Sequence, residues 1–65
     1  MEHWYIVIFD DNYNIKLAFK TDGFPYISQV TAVLKDLEEE YAPKDIQRLK
    51  IDFLDEESFL EIKNN

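Results

Sequence analysis

The chain contains no cysteine, a single glycine, a single histidine, two prolines and half as many basic residues as acidic ones. Without cysteine there is no disulfide framework and no thiolate metal site, a composition that fits a reducing compartment. With His3 as the one imidazole and no carboxylates at EF-hand spacing, neither zinc nor calcium finds a recognisable ligand set, and no metal or other cofactor is expected. One glycine, Gly23, cannot build a phosphate-cradling loop. Nucleophilic catalysis needs an activated Ser, Thr or Cys beside a base. Ser28 and Ser58 are accounted for as a helix cap and a turn residue, so no such pair stands out. The paired carboxylates Asp10 and Asp11 suit acid-base work in principle, but so short a chain has no cleft to shelter them. The expectation is a protein without enzymatic activity.

Long apolar segments are also missing. The longest run, Trp4 to Phe9, is too short for a signal core or a membrane span, and it follows Glu2 and His3 instead of a basic region. A cytoplasmic protein is expected. The deficit of base is the strongest compositional signal: 14 acidic against 7 basic residues give a net charge of −7. Direct binding to nucleic acid or to an anionic membrane is disfavoured, because both draw on clustered Lys and Arg. Tyr13, Lys16, Phe19 and Lys20 interleave aromatic and basic residues as a single-strand platform does. The surrounding acid argues against that use, and core packing explains Phe19 more simply. What the charge favours is solubility and fast encounter with a basic protein surface.

The residues that are present define one small domain over 1–65, near the lower size limit for folding alone. Its organising stretch is Trp4-Tyr5-Ile6-Val7-Ile8-Phe9. A strand sends alternate side chains to opposite faces, so a run apolar at every position needs cover on both. Asp10 to Asn14 is rich in turn formers and closes a hairpin onto a second strand, Ile15 to Lys20, with Ile15, Leu17 and Phe19 on one face. After the break at Thr21-Asp22-Gly23, Pro25 or Ser28 begins a helix. Ile27, Val30, Leu34, Leu37 and Tyr41 form its apolar stripe, and Pro43 ends it. Ile46 to Leu54 reads as a third strand, with Leu49, Ile51 and Phe53 alternating against Arg48, Lys50 and Asp52.

Asp55-Glu56-Glu57-Ser58 then reads as a turn into a short fourth strand, Phe59 to Lys63, with Leu60 and Ile62 inward. The competing reading is a helix capped by Asp55. Asn64 and Asn65 should fray. The fold expected is α+β: a small antiparallel sheet of three or four strands, β-β-α-β-(β), with the first strand central and one helix on one face. The other face, carrying Tyr5, Val7 and Phe9, is then left for a second copy, so a homodimer is expected with those three residues at its interface.

The acidic triplet Glu38-Glu39-Glu40 falls in the last turn of the helix, where the macrodipole favours cations. A solvated face explains it, and so does a surface kept acidic to meet something basic.

This small acidic chain, with a hairpin through Asp10-Asp11, then a helix, then a strand reading Asp45-Ile46-Gln47-Arg48-Leu49-Lys50-Ile51-Asp52, resembles the small dimeric uracil-DNA glycosylase inhibitors of Bacillus phages over about residues 5–54. The helix of that family bears an aromatic, a glutamate and, three residues on, a tyrosine, matched here by Leu37, Glu38 and Tyr41. Leu37 stands where the family has the aromatic, and the segment after Leu54 is unlike it. The resemblance implies a dimeric DNA mimic whose apolar pocket receives a protruding leucine of a DNA-repair enzyme, with Leu37, Glu38 and Tyr41 at the contact. Physically, apolar anchors supply most of such an affinity and carboxylates supply steering and specificity. Asp36 and Glu39 join those three as the candidate partner-binding set. Two other roles fit the same residues: a structural or assembly module, and an acidic immunity protein or antitoxin.

Overall fold

In the computed structural model the described residues are 3–64, so the fraying expected at Asn65 lies outside them. The elements are β1 (Trp4–Phe9), β2 (Ile15–Thr21), α1 (Ile27–Glu40), α2 (Pro43–Ile46), β3 (Lys50–Asp55) and α3 (Glu56–Lys63). The strands form one antiparallel sheet in the order β2-β1-β3, with the apolar first strand in the middle. No helix among the described residues is long and apolar enough to cross a membrane.

The hairpin is set by Asp10, whose carboxylate Oδ1 accepts the N–H groups of Asn12 and Asn14, each at 2.9 Å. Tyr13 closes the turn with φ +60° and donates its N–H to Asp10 O at 3.0 Å. A bulky residue pays a steric cost in that left-handed region. Lys50 Nζ lies 4.3 Å from the Tyr13 ring centroid, a cation–π contact that offsets part of it. Beyond the turn the register slips: Ile8 pairs Leu17 while Phe9 pairs Ile15, which leaves Lys16 as the extra residue of a β-bulge. Ile15 therefore joins the opposite face from Leu17 and Phe19, where simple alternation would have put all three together.

Each face of β1 has its own core. On one, Ile6 and Ile8 pack against Val33 and Leu37 of α1, with Leu17, Phe19, Val30 and Phe53 around them. On the other, Val7 and Phe9 pack against Phe59 of α3, with Tyr5, Ile15 and Leu54 at the margin. The fourth strand preferred from the sequence is thus a helix. Asp55 ends β3 and caps α3 at once, its Oδ1 accepting Ser58 N–H at 2.8 Å. Glu56 and Glu57 follow in the first turn, where the helix dipole favours them. Phe59 turns inward and Leu60 and Ile62 stay exposed, the reverse of the strand reading. This corrects the interface expected at Tyr5, Val7 and Phe9. Val7 is 0 % exposed, and the Tyr5 ring is stacked on Phe59 with centroids 4.0 Å apart and planes 13° from parallel. The face reserved for a second copy is filled by the chain's own helix.

Two further boundaries differ. α1 starts at Ile27 with Tyr26 as its N-cap, ahead of Ser28. Residues 43–46 form the short helix α2, with Pro43 in its first turn, before β3 begins at Lys50. Of the expected third strand, Ile46 to Leu54, only the part from Lys50 is extended; β3 runs on to Asp55, and Ile51 is exposed on it. On the outer edge of β3, Phe53 N–H is met by the Asp52 carboxylate at 2.8 Å, which blunts the edge against strand addition.

Phe59→Ala removes the main cover of Val7 and Phe9 and is expected to cost about 3–5 kcal/mol, with new binding of a hydrophobic dye. Urea denaturation checks this; a loss below about 1 kcal/mol would show that α3 is not what buries that face.

Candidate functional site

The candidate residues lie on α1, and helix geometry decides which of them share a surface. At about 100° per residue, positions two apart lie on nearly opposite sides and positions three apart are neighbours. Glu38 and Tyr41 come together accordingly, lining a notch of about 340 Å³ with Pro43 and Ile46. Pro43 builds the far wall because it starts α2 straight after the α1 terminus, where Tyr41 N–H still bonds Leu37 O at 2.9 Å. Asp36 lies on the other flank of α1, beside Phe19, Lys20 and Thr21 of β2. Glu39 is exposed between the two flanks.

Leu37 does not reach the surface. It is 3 % exposed and belongs to the core with Ile6, Ile8 and Val33. Its expected contact with a partner is therefore corrected: Leu37 holds the floor beneath the notch in place, and the apolar groups offered to a visitor are Tyr41, Pro43 and Ile46. Pro43 and Ile46 went unseen in the sequence because they belong to a separate helical turn that closes back on α1. The signal available was Pro43 itself, a residue as suited to starting a helix as to stopping one.

The electrostatics around the notch are one-sided. Glu38, Glu39 and Glu40 are all exposed at the negative end of the α1 dipole, and the last turn of α1 carries no basic residue. Lys44 and Arg48 line a separate depression with Asp45 and Gln47. Among the described residues, the one contact of ion-pair length is His3 Nδ1 to Asp22 Oδ1 at 3.4 Å. The helix-end carboxylates are thus held by solvent and are open to a cation from outside. No group of three or more potential metal ligands occurs among the described residues. Compared with known protein families, curated proteins and solved structures, the chain matches none.

Two carboxyls elsewhere are tied to the fold. Asp10 is held below the usual aspartate range chiefly by the Asn14 N–H, and Asp55 chiefly by the Ser58 N–H. A carboxyl whose folded value is depressed contributes stability above its unfolded value and loses it as the pH falls through the folded one. The contribution of Asp55 should therefore fade as the pH drops below the ordinary value of 3.8. Asp55→Asn keeps a capping oxygen without the charge, so its stability should lack that acid-side component. Melting curves of both proteins across this range check it, and parallel curves would remove Asp55 as a source of acid sensitivity.

Proposed function

We infer that the protein is a small acidic binding module of the cytoplasm that blocks a basic, DNA-acting enzyme by standing in for its nucleic acid, with uracil-DNA glycosylase as the first candidate. The observation that carries this reading is the notch of Glu38, Tyr41, Pro43 and Ile46, an apolar seat with the Glu38 carboxylate at its wall, which no cation among the described residues pairs with. An enzyme that grips DNA presents lysines and arginines around its groove, often with an apolar side chain that enters the duplex. Such a side chain would enter the notch, and the basic residues would meet Glu38 and Glu39 in charge-assisted contacts. Tyr41 and Ile46 would supply affinity, while the net charge of −7 would supply rate of encounter. The role asks for no catalytic group.

The assembly-module alternative drew its support from an uncovered sheet face, and α3 occupies that face. An acidic immunity protein or antitoxin shares these electrostatics, and a toxin gene adjacent on the genome would mark it.

The experiment is a uracil-excision assay with added protein, run beside capture from a bacterial lysate at low and high salt. Inhibition is expected, or at least enrichment of nucleic-acid-processing proteins that is lost in high salt. Neither effect at low salt would overturn the reading. Reversing Glu38 and Glu39 to Lys should weaken binding by roughly thirtyfold, at about 1 kcal/mol for each exposed charge, without a change in fold. Unchanged capture would remove both residues from the site.

A further inference from the structure

α1 carries more apolar surface than the sheet takes up. Val30, Val33 and Leu37 face the core, with Tyr41 at its margin. Ile27 and Leu34 do not: they are 86 % and 43 % exposed. Ile27, Leu34 and Tyr41 recur every seven residues, so they form one nearly straight row along the flank of α1, about 21 Å long at 1.5 Å per residue. Glu38 lies beside that row, four residues on from Leu34, and the notch closes its far end. Phe24 and Tyr26 are also exposed just before the helix, with the Phe24 ring edge-on to Trp4 and Phe53.

Local stability would favour other residues there. Tyr26 occupies the N-cap without a side-chain cap, although Gln29 Oε1 reaches back to Tyr26 N–H at 2.7 Å. A Ser or Asp at that position would cap the helix with its side chain, and an acid at Ile27, the first helical residue, would complement the helix dipole. The chain instead places apolar groups at the positive end of the helix and acid at the negative end. Both choices sacrifice helix stability, and Ile27 and Glu38 fall on the same flank.

We propose that this row, from Ile27 through Leu34 to Tyr41, is the docking surface for a basic amphipathic helix of the partner protein. A straight row with seven-residue spacing matches the apolar stripe of a second helix. Glu38, exposed beside Tyr41 at one end of the row, matches Lys and Arg beside that stripe, and the net charge of −7 favours a basic visitor. The positive N-terminus of the incoming helix belongs at this acidic end, so the two helices run antiparallel. A second copy of the chain fits poorly. Parallel packing sets acid on acid, and antiparallel packing meets the acidic end with a helix start, residues 24–31, that carries no Lys or Arg. An anionic membrane is repelled by the net charge.

The inference rests on the acidic-binder reading for the sign of the partner's charge, and its test uses no enzyme. The probe is a synthetic Leu/Lys peptide of amphipathic pattern, titrated into the full-length isotope-labelled protein beside a peptide of identical composition with scrambled order. The amphipathic peptide should become helical, bind at least about tenfold more tightly than the scrambled one, and shift the amides of α1 and α2. The variant Ile27→Asp with Leu34→Asp adds two negative charges, so purely electrostatic binding would strengthen, whereas docking on the row should weaken about tenfold or more. Ile27→Asp alone alters only an exposed position and should bind several-fold less tightly with its melting temperature kept or raised, which preserves the test if the double variant unfolds. Equal affinity for the two peptides, unweakened binding by the variants, shifts centred on α3 or β3, or self-association that Ile27→Asp abolishes would each overturn the proposal. Peptide docking without any effect on the enzyme assay or the lysate capture would retire the DNA-mimic reading alone, and inhibition without peptide docking would retire the row alone.

Discussion

The central strand must be hidden from water on both sides, and one chain of 65 residues supplies both covers. Ile6, Val7, Ile8 and Phe9 are all buried, with no polar position among them to tolerate a wet face. Every larger feature answers that constraint. β2 and β3 satisfy the two backbone edges of β1, α1 closes one side, and α3 closes the other. The cover on the α3 side is economical, since one phenylalanine stacked on Tyr5 completes it. A small domain has little stability to spare, so that single ring carries a large share of the fold.

α1 is divided along its length. Val33 and Leu37 obey the core, while Ile27, Tyr26 and the Glu38 to Glu40 run break the local rules for helix ends. When several preferences point one way and a few residues on one surface disagree, the disagreement is informative about what that surface does. Here the exceptions are contiguous: an apolar start, a half-exposed Leu34 and an acidic finish. The notch between α1 and α2 sits at the acidic finish, so an apolar row, a notch and the Glu38 carboxylate gather on one flank while the adjoining face of the helix is engaged with the sheet.

Much of this was legible in the sequence. Apolar residues at every position of 4–9 place that strand in the sheet interior, and the strand order follows. The α1 stripe was legible as a helix but not as two surfaces, because Ile27, Val30, Leu34, Leu37 and Tyr41 fit one broad face until the sheet selects Val33 and excludes Ile27. Over Phe59 to Lys63 too few apolar residues stand to tell a period of two from one of 3.6. The cap at Asp55, with its Ser58 partner, was the feature that decided it. Lys16 looked like an ordinary outward residue, and nothing in its own chemistry announces a bulge. Of the candidate site, Glu38 and Tyr41 were found together because three-residue spacing fixes them on one side. Leu37 was misplaced because the resemblance supplies a position in a motif without its depth.

The passage from β3 to α3 contains no connecting residue, since Asp55 is the last residue of one and the cap of the other. The azimuth of α3 is therefore indexed to the pleat of the strand. One inserted residue at that joint would rotate the helix by about 100° and swing Phe59 away from Tyr5. This splice is a phase lock, and length variation across it is closed to the fold.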